Sequence, residues 1–192
     1  HKAKVGWLVG RAFPVADDLP ALQIAADWTT LFCLIDNHIE SIRGPALSHV
    51  YLKGLLHVFR DGAPPLIVDP FAQAFRDLRE RMIDVGVPAW IDRFSEQLER
   101  LFRAFVDEAK YRVLEAVPEL TKYRKMREVS VGLYFGFRLG ELTDGIRLPL
   151  VVRDHPTVRS LESKAAYIVG LANDIYTVEK ELAKGEVNNM VL

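Results

Sequence analysis

Between Pro88 and Pro118 the chain places apolar side chains at three- and four-residue intervals, at Trp90, Ile91, Phe94, Leu98, Leu101, Phe102, Phe105, Val106, Ala109 and Val113. That period matches the 3.6-residue turn of an α-helix and not the two-residue alternation of a strand. Proline suits a first helical turn and disrupts an interior one, so Pro88 opens this helix and Pro118 ends it. A long helix with one apolar stripe has to bury that stripe, and the rest of the chain offers further helices to bury it against.

Helical spacing recurs from Leu22 to Ile42, through Leu22, Ala25, Ala26, Thr29, Phe32, Cys33 and Ile39. Ser48 to Phe59 and Phe71 to Val85 read as two more helices, the first stopped by Arg60-Asp61-Gly62-Ala63-Pro64-Pro65 and the second near Gly86. Thr121 to Leu142 has helical period but carries Gly132, Gly136 and Gly140, which weaken a helix and let another body come close. A break at Ser130 to Gly132 is expected. Thr143 to Pro156 is a connector with room for a short helix, and Thr157 to Lys184 is the last long helix, with Gly185 as its stop. No run alternates with turn chemistry at both ends; only Leu148 to Val152 is strand-like in length. The fold class expected is all-α, a single helical domain over residues 1–192 with no internal repeat or linker.

Of the 192 residues, 49% are hydrophobic and 27% charged, which excludes a disordered or fibrous chain. A formal net charge of -1 gives no overall attraction for nucleic acid or an anionic membrane, so any anion site has to be local. The apolar runs Leu31 to Ile35 and Leu148 to Val152 are far shorter than the ~20 residues of a membrane span. The start His1-Lys2-Ala3-Lys4 leads to Gly6, Gly10, Arg11 and Pro14 and not to the apolar core of a signal peptide. With Cys33 as the one cysteine, no internal disulfide forms, and the cytoplasm is the expected location.

Three constellations carry chemistry. In Asp36-Asn37-His38-Ile39-Glu40 the two carboxylates are four residues apart, about 40° in azimuth and ~6 Å along a helix, on one face. Taken alone, such a pair is an ordinary solvated helix end. Its like charges repel, however, and carboxylates near a helix C-terminus meet an unfavourable dipole, two costs that a bound cation offsets. In Asn173-Asp174-Ile175-Tyr176-Thr177-Val178-Glu179-Lys180-Glu181, the side chains of Asn173, Thr177 and Glu181 form a stripe of oxygens at i, i+4 and i+8. One carboxylate with two neutral oxygens suits magnesium that arrives with phosphate. The bland alternative is an exposed polar stripe, but the apolar approach Ala165, Ala166, Ile168, Val169, Leu171 and Ala172 places Asn173 at the mouth of a buried face. The third is the cationic run Lys122, Arg124, Lys125 and Arg127, ahead of Ser130 and Gly132. Arginine forks suit phosphate oxygens, although basic residues in early helical turns are commonly just solvated. Trp28, Phe32, Phe135 and Phe137 can wall an aromatic cavity, with core packing as the alternative role of each.

Together these residues resemble class I terpene synthases of the bacterial type. Asp36-Asn37-x-x-Glu40 stands where that family has DDxxD/E, and Asn173-Asp174-x-x-Thr177-x-x-x-Glu181 stands for its NDxxSxxxE triad. Asp27-Trp28 ahead of Leu34-Ile35-Asp36, and the upstream Arg11-Ala12-Phe13-Pro14, are similar to the family as well. Arg127-x-x-Ser130-x-Gly132, with Arg127 46 residues before Asn173, resembles its diphosphate-sensing arginine and kinked helix. The tail Lys180-Glu181-x-x-x-Gly185-Glu186-x-Asn188-Asn189 is similar to the family's continuation of the triad helix.

The resemblance implies a class I terpenoid synthase bundle with a deep apolar pocket and three Mg2+ ions between the two motifs and a prenyl diphosphate. Asp36, Glu40, Asn173, Thr177 and Glu181 would hold metal; Arg127 and Lys180 would hold diphosphate; Trp28, Phe32, Ser130, Gly132 and Phe135 would line the substrate site. Asp36 and Arg127 would be the residues that act in ionisation. No nucleic acid is implied, and a homodimer is compatible with the family. Two departures stand out: Asn37 replaces the second aspartate, and the Arg-Tyr pair with its C-terminal helices is absent, so the domain is expected to be incomplete at the C-terminus and possibly at the N-terminus. An isoprenyl diphosphate synthase would resemble a chain with two aspartate-rich motifs, which this is not. A non-catalytic helical interaction module is the rival of another class, and Mg2+-dependent diphosphate binding separates the two.

Overall fold

The computed structural model describes residues 4–42, 44–64, 69–85, 88–185 and 188–192, and among them every regular element is a helix. In chain order these are α1 (Val5–Ala12), α2 (Leu19–Ser41), α3 (Pro45–Asp61), α4 (Pro70–Val85), α5 (Pro88–Leu114), α6 (Leu120–Ser130), α7 (Leu133–Thr143), α8 (Leu150–Arg153) and α9 (Pro156–Lys184). The long central helix α5 lies against α3 and α6, while α2 packs on α1, α4 and α7 and α9 leans on α6 and α7. The expected stops at Pro65 and Gly86, the start at His1 to Ala3, and Glu186 lie outside the described residues.

Local chemistry explains the boundaries. Asp18 caps α2 by accepting from the Ala21 amide at 3.2 Å, and Pro20 sits in its first turn. His155 caps α9 by accepting from the Thr157 amide, and Gly185 ends it in the left-handed region at φ 73°. α2 turns Ala21, Ile24, Ala25, Trp28, Leu31, Ile35 and Ile39 inward, a stripe at helical spacing. Trp28, 2% exposed, is the hub of the core. Its ring meets Phe59, Phe75 and Phe94 at centroid distances of 5.3, 5.2 and 4.8 Å, and its indole N–H donates to Met82 Sδ.

Helix α1 has no counterpart in the sequence reading. Gly6 and Gly10 face open space and Val9 alone is buried, so the element shows little apolar period. Its end does matter, because the Phe13 ring approaches within 3.3 Å of where a Gly140 side chain would begin. Gly136, expected to permit a similar approach, meets only Leu133 of its own helix at ordinary contact. The segment 148–152, strand-like in length, enters the short helix α8.

The expected break falls between α6 and α7. Gly132 takes φ +78°, and a β-carbon there would lie 2.6 Å from the Phe135 ring and 2.8 Å from the Phe32 ring. Left-handed backbone costs a non-glycine residue roughly 1–2 kcal/mol, and overpacking adds about 1–3 kcal/mol. Gly132→Ala should therefore lower unfolding free energy by about 2–5 kcal/mol. Gly185→Ala, left-handed but with open space around it, should lose only the backbone part. Urea unfolding of the two variants beside the parent checks the ranking.

Candidate active site

The site forms where the C-terminal part of α2, the end of α5, the end of α6 and the last turns of α9 converge. Its centre is Arg127. Nε of Arg127 donates to Asp174 Oδ1 at 2.8 Å, Nη2 to Asn173 Oδ1 at 2.6 Å, and Nη1 reaches Ser130 Oγ at 3.5 Å. α9 can approach this closely because Gly170 faces Arg127, its missing β-carbon falling 3.3 Å from Arg127 Cγ. Burial works against the guanidinium's charge, but Glu108 and Asp174 outweigh it and hold Arg127 firmly cationic.

Arg127 is thus separated from its basic neighbours. Lys122 lies over the Tyr111 ring at 5.3 Å and Arg124 over Tyr167 at 4.5 Å, while Lys125 is exposed on the outer surface. Of the four cations only Arg127 turns inward.

Along α9, Ala166, Gly170 and Asp174 make the buried strip, and Asn173, Thr177 and Glu181 make the adjoining one. Thr177 donates its hydroxyl hydrogen to the Asn173 carbonyl at 2.9 Å, which leaves the Oγ1 lone pairs available. Glu181 Oε2 accepts from Asn189 at 2.8 Å. Lys180 is exposed, and among the described residues no hydrogen bond or ion pair aims it at the site.

Across from this strip, burial pushes the Asp36 carboxyl up to about 6; Glu40 and Glu181 add to the shift, and Arg127 and Arg112 oppose it. Asp36 therefore feels groups from both motifs. Glu40 Oε2 stands 3.7 Å from Lys184 Nζ, a second link between α2 and α9. Asn37 is directed elsewhere, its amide donating to the Cys33 carbonyl at 2.6 Å on the exposed side of α2.

Among the described residues no three His, Cys, Asp or Glu side chains stand together as a ready metal cluster. The donor set is instead mixed and split between two helices: carboxylates from Asp36, Glu40 and Glu181, an amide oxygen from Asn173 and a hydroxyl from Thr177. Hard oxygen donors of this kind fit a hard divalent cation that shares its coordination with a ligand's own oxygens.

Behind Arg127, the kink at Gly132 lets Phe32 and Phe135 meet at 5.1 Å. Trp28, Phe32, Ile35, Phe75, Leu98, Leu101, Phe102, Phe105 and Phe135 wall an apolar cavity of about 10 Å³. So Trp28, Phe32 and Phe135 do come together, whereas Phe137 packs on Tyr134 away from them. The deep pocket implied by the resemblance is closed here: a prenyl chain enters only if these side chains part.

Several participants were given no role in the sequence analysis. Glu108, 8% exposed, interrupts the inward stripe of α5 and accepts a short hydrogen bond from Ser130 Oγ. The signal was a carboxylate at a position where the period calls for an apolar residue, between Phe105 and Ala109. Asp174, fully buried, anchors Arg127 and accepts from the Met190 amide at 2.9 Å. The tail does not continue α9, as the resemblance implied. Past Gly185, residues 188–192 sit back against the site, with Asn188 donating to the Glu108 carbonyl at 3.2 Å and Asn189 to the Asp174 carbonyl at 2.8 Å.

The chain matches the family described as Terpene synthase family 2, C-terminal metal binding, over residues 27–192. It is 35% identical over 198 residues to a (+)-T-muurolol synthase ((2E,6E)-farnesyl diphosphate cyclizing) of Roseiflexus castenholzii, covering 100% of this chain and 60% of that protein. It is 30% identical to the germacrene A synthase of Nostoc punctiforme, covering 99% of this chain and 59% of the relative. The crystal structure of a-eudesmol synthase shares the fold, with a TM-score of 0.80 at 24% identity over 93% of this chain and 59% of that one. The chain belongs to terpene synthase family 2, within its C-terminal metal-binding region. It spans about three fifths of the length of the relatives it matches.

Burial raises the Glu108 carboxyl from 4.5 to about 7, against the pull of Arg127 and Ser130. A folded pKa above the unfolded one means that the native state binds the proton more tightly. The resulting stability is present below about 4.5 and is lost as pH rises through about 7. Glu108→Gln, which cannot ionise, should therefore gain stability relative to the parent as pH rises from 4.5 to 8. Thermal melts of both proteins at several pH values measure the gap; a gap that stays constant with pH would contradict the assignment.

Proposed function

We propose that this chain is the metal- and diphosphate-binding core of a class I terpene synthase that ionises and cyclises an isoprenyl diphosphate. The observation that carries the reading is Arg127, a half-buried cation held on the oxygen stripe of α9 and directly ahead of the aromatic cavity. Farnesyl diphosphate is the proposed substrate, supported by the Roseiflexus relative whose name states farnesyl diphosphate cyclisation. The product is a terpene hydrocarbon or alcohol, with release of diphosphate. The cytoplasm is the proposed location, supported by the single cysteine and by the absence, among the described residues, of a helix long and apolar enough to cross a membrane.

Asp36, Glu40, Asn173, Thr177 and Glu181 are the proposed holders of Mg2+, three ions in all. When bound, magnesium neutralises diphosphate oxygens and stabilises the charge that gathers on them as the carbon–oxygen bond breaks. Arg127 supports the same oxygens, and its position is set beforehand by Asp174 and Asn173, so no reorganisation is needed as that charge grows. Lys180, exposed beside the stripe, is proposed to turn onto the diphosphate when it binds. The electron pair of the broken bond leaves with the diphosphate. The allylic cation left behind faces Trp28, Phe32 and Phe135, whose rings stabilise positive charge and exclude water. Ser130 and Gly132 form the turn that joins the two parts of the site.

Glu181→Gln should abolish turnover of farnesyl diphosphate in the full chain while leaving the helical circular dichroism unchanged, read by volatile-product analysis at saturating Mg2+. Arg127→Lys keeps charge but loses the fork, worth on the order of 1.5–3 kcal/mol, so kcat should fall roughly ten- to hundredfold. Lys125→Ala, on the outer surface, should change little. Equal small effects of all three substitutions would return the helical interaction module as the better reading, as would failure of the parent to bind diphosphate with Mg2+.

A further inference from the structure

Asn189 is 4% exposed and lies outside every motif assigned to the site. Its side-chain amide is fully used. One Nδ2 hydrogen goes to the Asp174 carbonyl and the other to Glu181 Oε2, both at 2.8 Å, and Oδ1 accepts from the Val191 amide at 2.8 Å. The orientation of the amide has no alternative: turned over, its oxygen would face two acceptors and its nitrogen would face an N–H donor. A short turn after α9 is thereby pinned, and the Met190 amide donates to Asp174 Oδ2 from the same turn at 2.9 Å.

The consequence falls on Glu181. This carboxylate stands in the last turn of α9 (Pro156–Lys184), where the helix dipole disfavours negative charge and a free side chain would swing toward solvent. The Asn189 donor holds Oε2 from behind and leaves Oε1 for another partner. The same amide reaches the backbone of Asp174, the residue that anchors Arg127.

We infer that Asn189 is a positioning residue that orients Glu181 toward a divalent cation and ties that orientation to the anchor of Arg127. The inference rests on the proposed role of Glu181 as a metal holder. Removing such a supporting donor generally weakens metal affinity or activity by about 10- to 100-fold. Asn189→Ala removes both donors, and Asn189→Asp keeps the shape but sets a carboxylate against Glu181.

The test uses Mg2+ and inorganic diphosphate as calorimetric probes on the full chain, together with the Mg2+ dependence of farnesyl diphosphate turnover. Both variants should need about tenfold or more Mg2+ for half-maximal diphosphate binding. At saturating Mg2+, the KM for farnesyl diphosphate should change less than about twofold, the split expected when the loss lies in metal affinity. In a Glu181→Gln background Asn189→Ala should leave the Mg2+ requirement unchanged, because its target is gone. A shift of similar size in both backgrounds would mean that Asn189 acts only on the general fold, and would overturn the inference. So would a normal Mg2+ requirement in folded Asn189→Ala and Asn189→Asp while Glu181→Gln is damaging. If Glu181→Gln itself binds Mg2+ and diphosphate normally, the metal assignment of Glu181 fails first, and the inference falls with it.

Discussion

A guanidinium drawn largely out of water must be compensated, and the requirement of Arg127 organises everything around it. Asp174 from α9 meets its Nε, Asn173 meets Nη2, and Glu108 from α5 supplies further negative potential through the groups at Ser130. Removing one partner of such a set costs far more than the intact set contributes, because the remaining charge is stranded away from water. α5, α6 and α9 are consequently held in one relation at this point. Gly170 is the steric condition for it, since a side chain there would push Arg127 off α9.

The polar centre and the apolar cavity are joined by very little chain. Ser130 closes α6, Gly132 reverses the backbone through the left-handed region, and Phe135 is already in the cavity wall. Arg127 Nη1 reaches Ser130 Oγ at 3.5 Å, two residues ahead of a turn at φ +78° where a β-carbon would meet two aromatic rings. The tight contact between Phe32, Phe135 and this turn explains why the cavity is so small, and it identifies the turn as the place where movement would enlarge it.

The helices were legible because their period and punctuation are local properties. The long apolar stripe of α5, the proline start at Pro88 and the glycine stop at Gly185 each act within a few residues, whereas Pro45 and Pro156, which open α3 and α9, were not read as starts. The break at Gly132 was legible for the same reason. The brief α1 was not, since two glycines on its open face leave almost no stripe to detect. In the site, Asn173, Thr177 and Glu181 were readable as one face from spacing alone. Which member of a basic run turns inward was a separate matter. Helical period leaves Lys122, Arg124, Lys125 and Arg127 alike; the resemblance singled out Arg127, and the approach of α9 through Gly170 is the physical reason that it turns inward. Glu108 has no local pattern beyond a carboxylate where an apolar residue was due, and Asn189, although it stands in a tail similar to the family's, shows nothing in sequence of the partners it reaches on α9.

The exchange of the second aspartate for Asn37 fits the same electrostatic logic. Asp36 already carries a raised pKa from burial and from Glu40 and Glu181, so a further carboxylate beside it would add to the repulsion. Asn37 instead donates its side-chain amide to the Cys33 carbonyl of its own helix. The two halves of the site are unequal as a result. The α9 strip has its oxygens oriented by Arg127 and Asn189, whereas the α2 pair is steadied from without, Glu40 by Lys184 and Asp36 by the more distant field of Arg127 and Arg112. On the proposed reading, the α9 oxygens of Asn173 and Glu181 would be held in place ahead of a divalent cation, and Asp36 and Glu40 would be the carboxylates whose ionisation its charge would favour.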